Sequence, residues 1–115
     1  MKNIFCICVL AAAFYTHALA KSKEVEIPRT AYKDLYKYYV VEESKKNTNM
    51  QLIYKRVGQT SFDYGIVEIN CAGKVLRLLG TTTKSVRDIS TANPGPWSKA
   101  AIGSIEADMI AYTCR

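Results

Sequence analysis

The sequence predicts an α+β domain: an antiparallel β-meander with a C-terminal helix packed on it, closed by one disulfide. Three observations predict it. Between Met50 and Thr82, three runs rich in β-branched and aromatic residues follow one another with only short turn-forming segments between them. Near the C-terminus, Ser104 precedes a run that suits a helix, with Glu106 and Asp108 in its first turn. Once an N-terminal leader is set aside, two cysteines remain, Cys71 at the end of the second run and Cys114 at the end of the helix.

The leader spans residues 1–20. Lys2 supplies a positive start, Ile4 to Tyr15 carries no charge, and Ala18-Leu19-Ala20 presents small residues before Lys21. This is the pattern of a secretory signal peptide. The apolar run is too short to span a bilayer well, which takes about 20 residues, and no later segment qualifies. No cysteine follows the expected cut, so nothing supports a lipid anchor. The mature protein is expected in the periplasm, or secreted to the cell surface or beyond, with no transmembrane segment.

Cleavage removes Cys6, Cys8 and His17, leaving Cys71 and Cys114 and no histidine. In an oxidising compartment two such thiols pair. Closing a loop of about 44 residues removes roughly 4 kcal/mol of denatured-state entropy in the chain-entropy model. A domain this small buries one core, so that contribution is a large fraction of its stability.

Residues 21–31 read as a flexible lead-in, and 32–115 as the folded domain. Tyr32, Leu35, Tyr36 and Tyr39 fall at helical spacing, while Tyr38 to Val41 is an equally good strand run; the segment is expected to run from helix into strand. Glu42 to Asn49 has no apolar residue and reads as a connector. Met50 to Val57 is the first strand of the meander, turned by Gly58-Gln59-Thr60. Phe62 to Cys71 is the second, with Phe62, Tyr64, Ile66, Glu68 and Asn70 on one face and Asp63, Gly65, Val67, Ile69 and Cys71 on the other. Ala72-Gly73 connects it to Lys74–Thr82, and gaps this short favour antiparallel hairpins.

Thr81 to Ala101 is long and irregular, since Pro94-Gly95-Pro96 forbids regular structure. Trp97, the only tryptophan, follows that turn; it can plug the core and anchor the loop, or stand exposed as a binding residue. In the helix, Ala107, Ile110, Ala111 and Cys114 share a face that can dock on the sheet and bring Cys114 to Cys71.

The chain carries 16 Lys and Arg against 10 Asp and Glu, and the leader removes only Lys2 from that balance. A basic surface favours anionic partners. The charges are dispersed, however, and the longest basic runs are pairs, so a nucleic-acid-binding stripe is not expected. Without histidine the mature chain lacks the commonest general base and metal ligand, and it has no phosphate loop, nucleophile elbow or paired-cysteine metal spacing. No catalysis, metal or cofactor is expected.

The most unusual composition is the Tyr-Lys interleaving of Tyr32, Lys33, Tyr36, Lys37, Tyr38 and Tyr39. Tyrosine offers contact area at low entropic cost and lysine attracts anionic polymers. Tyr32, Lys33, Tyr36, Lys37 and Tyr39, together with Trp97, therefore form a candidate binding patch, although the tyrosines at helical spacing also suit a core face with solvated lysines between them. The expected partner is a protein or an anionic glycan.

The strand ending Val67-Glu68-Ile69-Asn70-Cys71, the return strand Lys74 to Leu79, and the approach Pro96-Trp97 and Ile102-Gly103-Ser104-Ile105 to Cys114 together resemble the surface-adhesin protein E family of small exported Gram-negative proteins. The resemblance covers roughly Gln51 to Cys114. It implies an antiparallel sheet with a packed, disulfide-linked helix and binding to host matrix proteins. The chain departs from that adhesin in lacking a lipoprotein cysteine. A different expectation is a periplasmic inhibitor or an accessory of a secretion or conjugation apparatus, using the Ser90 to Ser98 loop on a protein partner.

Overall fold

The computed structural model describes residues 24–30 and 35–115; the expected leader, and Tyr32 and Lys33 of the candidate patch, lie outside the described residues. The described residues form one open antiparallel sheet of six strands in simple chain order, β1 (Val25–Glu26), β2 (Lys37–Lys46), β3 (Asn49–Val57), β4 (Phe62–Asn70), β5 (Val75–Thr82) and β6 (Ser98–Lys99). The helix α1 (Ile105–Thr113) packs on one face. The expected α+β meander with its C-terminal helix and single disulfide is what forms.

Local chemistry explains the turns. Between β2 and β3, Asn47 takes φ 59, a left-handed conformation that asparagine tolerates better than most residues. Gly58 N donates to Ser61 O at 2.8 Å to close the next turn. After β4, the Asn70 side chain accepts from Gly73 N at 3.0 Å. Ser104 caps α1 by accepting from Ala107 N at 3.2 Å.

Two faces of the sheet are buried by different means. On the front, Tyr38, Val40, Leu52, Val67, Ile69 and Leu76 pack with Ile27 and with Met109 and Ile110 of α1. Leu52 and Ile69 are wholly buried, each contributing about 1.5–3 kcal/mol. On the back, Ile53, Ile66 and Leu79 form a second, smaller cluster with Val41, Val86 and Ile89. It is covered by the segment around a 3-10 turn, Val86–Asp88. Two β-bulges make this possible. The register shifts between Val40 and Glu42 in β2, and β5 carries Leu79 between Leu78, paired with Val67, and Gly80, paired with Ile66.

Several expectations from sequence are corrected. Leu35 and Tyr36 are not helical; they lead directly into β2. Glu42 to Lys46 is no connector but the second half of β2, paired from Glu42↔Ile53 to Lys46↔Asn49. Backbone pairing needs no apolar side chain, and on an exposed outer strand charges are tolerated. Within the expected lead-in, β1 pairs with Tyr39 and Val40, and Ile27 is buried. The irregular stretch after Thr81 contains the 3-10 turn and β6. In α1 the buried side chains are Asp108, Met109, Ile110 and Thr113, while Ala111 is exposed. The helix is turned toward its larger side chains, which bury more apolar area than the alanines.

Cys71 and Cys114 form the disulfide, with Cα atoms 5.6 Å apart across a separation of 43 residues. It joins the end of β4 to the end of α1. A second tie holds the first turn of α1: the buried carboxylate of Asp108 accepts from Arg29 Nε at 2.8 Å and from Thr30 Oγ1 at 2.7 Å.

Candidate functional site

Two surfaces concentrate recognition chemistry, one on each face of the sheet. The front surface is a cleft of about 420 Å³ between the sheet, the turn before β6 and the start of α1. Tyr38, Tyr54, Arg56, Leu78, Pro96 and Glu106 line it. Alternation along β2 and β3 puts Tyr38, Tyr54 and Arg56 on the same side; the pairs Tyr38↔Arg56 and Arg56↔Asp63 set Tyr38, Arg56 and Asp63 in one cross-strand row, with Tyr54 in the next row on that face, between Val40 and Gly65. Arg56 is held by Asp63 in a two-pronged pair, Nε to Oδ1 and Nη2 to Oδ2, both 3.0 Å. The Tyr36 ring stacks on the guanidinium at 4.5 Å. The hydrogen bond to Asp63 raises the Arg56 pKa further, so the group stays charged.

Tyr54 crosses the backbone of β4 at Gly65, where any added Cβ would collide with the phenol end of the ring. Burial, reinforced by the Asp63 charge, pushes the Tyr54 phenol up to about 12, so it remains a neutral donor. The cleft therefore offers a fixed cation, a phenol, a carboxylate and apolar walls, a set suited to holding a ligand group. Among the described residues no group of three or more His, Cys, Asp or Glu is placed to hold a metal ion.

The back surface is assembled across five strands, β1 to β5. Lys37↔Val57↔Phe62 forms one cross-strand row, and Glu26↔Tyr39↔Lys55↔Tyr64↔Thr82 forms the next. Residues in such rows share a face, the one opposite α1. Phe62 is 46% exposed and meets Tyr64 edge-on at 5.7 Å, while Lys55 Nζ lies 4.7 Å from the Phe62 ring centre. Glu24 reaches Lys55 at 3.8 Å. The result is an aromatic centre of Tyr39, Phe62 and Tyr64 rimmed by lysines and glutamates.

At the other end of the back face, beyond the second core, the buried carboxylate of Glu68 accepts from Arg77 at 2.8 and 3.0 Å and from Asn49 Nδ2 at 2.9 Å. Burial alone would raise the Glu68 pKa. The hydrogen bonds from Asn49 and Arg77, with the charges of Arg77 and Lys46, outweigh it and hold the carboxyl below its ordinary value. Trp97 stacks on Arg77 at 4.7 Å with 39% of its surface exposed, so it anchors its loop from the outside and does not fill the core.

The sequence-predicted patch is thus divided. Tyr36 lies on the front against Arg56; Lys37 and Tyr39 lie on the back; Trp97 is on the back at the far end. The residues that complete the aromatic face, Lys55, Phe62 and Tyr64, were not among the candidates. Pairing Val57 with Phe62 across the turn at Gly58 would have found them. The Ser90 to Ser98 loop runs along β5, with Gly95 N donating to Leu78 O at 2.8 Å and Ser98 paired with Leu76. No helix of the described residues is long and apolar enough to cross a membrane. The chain matches no protein-family model, no curated protein and no solved structure.

Proposed function

We propose that this chain is an exported binding protein that acts without catalysis and engages a protein partner through the back face of its sheet. One observation carries the reading: strand register gathers Tyr39, Phe62 and Tyr64 into an accessible aromatic centre with Lys37, Lys55, Glu24 and Glu26 around it. An apolar, aromatic centre with a charged rim of both signs is the anatomy of a protein-recognition surface. A polyanionic glycan would meet the two glutamates as well as the lysines, which favours the protein partner. The resemblance to the surface-adhesin protein E family points the same way, and attachment to a host or envelope protein is the form of binding it suggests. The Ser90 to Ser98 loop lies along β5 and is less suited to reach into a partner.

The test is capture of partners by the immobilised mature protein from periplasmic extract and from host-cell lysate, compared across variants. The double variant Tyr39→Ala/Phe62→Ala is expected to lose at least tenfold of the captured partner, each aromatic anchor being worth about 1–2 kcal/mol or more. Leu35→Ala, at a side chain 78% exposed outside both surfaces, should capture as the parent does. Equal capture by the double variant, with its circular dichroism unchanged, would remove the back face from the reading.

A further inference from the structure

We propose that the outer edge of β2 pairs with the same edge of a second copy of this chain, joining two sheets into one across a two-fold axis at Ser44. Among the described residues the edge is open where it matters. Val25 and Glu26 pair with Val40 and Tyr39, and Ile27 N donates to Tyr38 O; beyond Val40, no described residue pairs with that side of β2. The uncovered stretch reads Glu42-Glu43-Ser44-Lys45-Lys46. It is regular strand, paired on its inner side with β3 throughout.

This stretch is antisymmetric in charge about its midpoint. Two identical antiparallel strands can be related only by a two-fold axis perpendicular to the sheet, which sets some residue opposite its own counterpart. With the axis at Ser44, Glu42 faces Lys46 of the second copy and Glu43 faces Lys45, and both pairs recur on the other side of the axis. Moving the axis to Glu43 or to Lys45 sets like charges face to face. An edge carrying one sign of charge repels its own copy; this one attracts it in a single register.

The side chains agree with the backbone. Glu42 pairs with Ile53, and Lys46 with Asn49, so both project on the back face. Glu43 projects on the front, where Arg115 holds it at 3.1 and 3.3 Å. The Glu43–Lys45 pair therefore meets a carboxylate already partly neutralised, and the Glu42–Lys46 pair carries most of the discrimination. Five facing residues give only about 16 Å of paired strand, well short of an obligate interface, so the dimer is reversible and concentration-dependent. It would set the two aromatic back faces on one side of a continuous sheet, where a partner with two epitopes could engage both.

Sedimentation equilibrium of the mature, disulfide-bonded protein from micromolar to millimolar concentration tests this. A monomer–dimer equilibrium that weakens with added salt is expected. Glu42→Lys and Lys46→Glu, made separately, should each raise the dissociation constant about tenfold, because two attractive pairs become repulsive. Mixing the two variants should restore association, since every facing pair is then opposite in sign. Under mild oxidation Ser44→Cys should cross-link two copies through the introduced thiols, because facing Cα atoms lie about 4.5–5.5 Å apart, within disulfide range. A protein monomeric throughout, as it would be if upstream residues of the same chain covered the edge, overturns the proposal. So does a dimer indifferent to both charge reversals, or variants that fail to rescue one another.

Discussion

Replacing Asp108 tests whether the tie between α1 and the segment before β2 holds the domain together. The Asp108 side chain is 1% exposed and that of Arg29 8%, and their 2.8 Å ion pair is supplemented by Thr30 Oγ1 at 2.7 Å. Asp108→Ala removes both acceptor oxygens and the carboxylate charge that Arg29 meets in this buried site. Breaking such a buried pair costs about 3–5 kcal/mol, against a total stability of about 5–15 kcal/mol for a typical domain. Asp108→Asn keeps one acceptor oxygen and loses the charge, and should cost about 2 kcal/mol. With a urea m-value of about 1 kcal/mol/M for a domain this small, Asp108→Ala should lower the unfolding midpoint by about 3 M, read by circular dichroism on oxidised protein. A double-mutant cycle with Arg29→Ala should show coupling above about 1 kcal/mol. Asp88→Ala, at an exposed carboxylate bonded to Ser85, is the control and should change stability by less than about 0.5 kcal/mol. If Asp108→Ala costs under about 1 kcal/mol, the tie is peripheral and the energetic reasoning fails.

Two further outcomes follow from the polar and covalent ties. Cys71→Ser/Cys114→Ser should lower stability by about 2–4 kcal/mol, the expectation for a closed loop of this length, and melting curves of the oxidised parent and the variant should differ by at least about 10 °C; equal curves would mean that the core alone holds α1 in place. Glu68 is held below its ordinary value of 4.5, so the unfolded chain binds the extra proton first on acidification. Its contribution is fully present above that value and is lost as pH falls through the folded-state pKa. Urea midpoints should therefore drop between pH 5 and pH 3, and Glu68→Gln should flatten the drop; a variant with the same acid profile as its parent would assign the loss to other carboxylates.

What the sequence revealed of the fold divides along physical lines. β3, β4 and β5 are legible because each buries at least one face, which leaves alternation, and short turns force antiparallel pairing. Ser104 as a cap is legible because its chemistry is local, and the Cys71–Cys114 bond because the expected leader holds the other two cysteines. β2 hides because half of it pairs through backbone alone: Glu42 to Lys46 has nothing to bury on its outer side, so its side chains report solvent and not strand. β1 and β6 are two residues each and exist only through their neighbours' hydrogen bonds. Tyr36 and Tyr39 mislead because their helical spacing competes with a strand whose alternation is interrupted at Val41. Site residues were harder still. Lys37 and Tyr39 were visible as composition, but Lys55, Phe62 and Tyr64 become their neighbours only through the register of two hairpins. The pairing of Arg56 with Asp63 and Tyr36 likewise depends on three segments meeting.

The two bulges have a consequence for shape. Val41 and Leu79 are each an extra residue in an outer strand, and Ile53 and Ile66, which pair with each other, lie on the line between them. A bulge bends and further twists the strand that carries it. Two of them on one transverse line act like a crease scored across a sheet of card, on which the surface turns as a unit. On one face of the sheet lies the small back core; on the other α1 packs and the Tyr54 cleft opens. Removing one residue at either end would restore a regular pleat and take a side chain, Val41 or Leu79, out of the small back core.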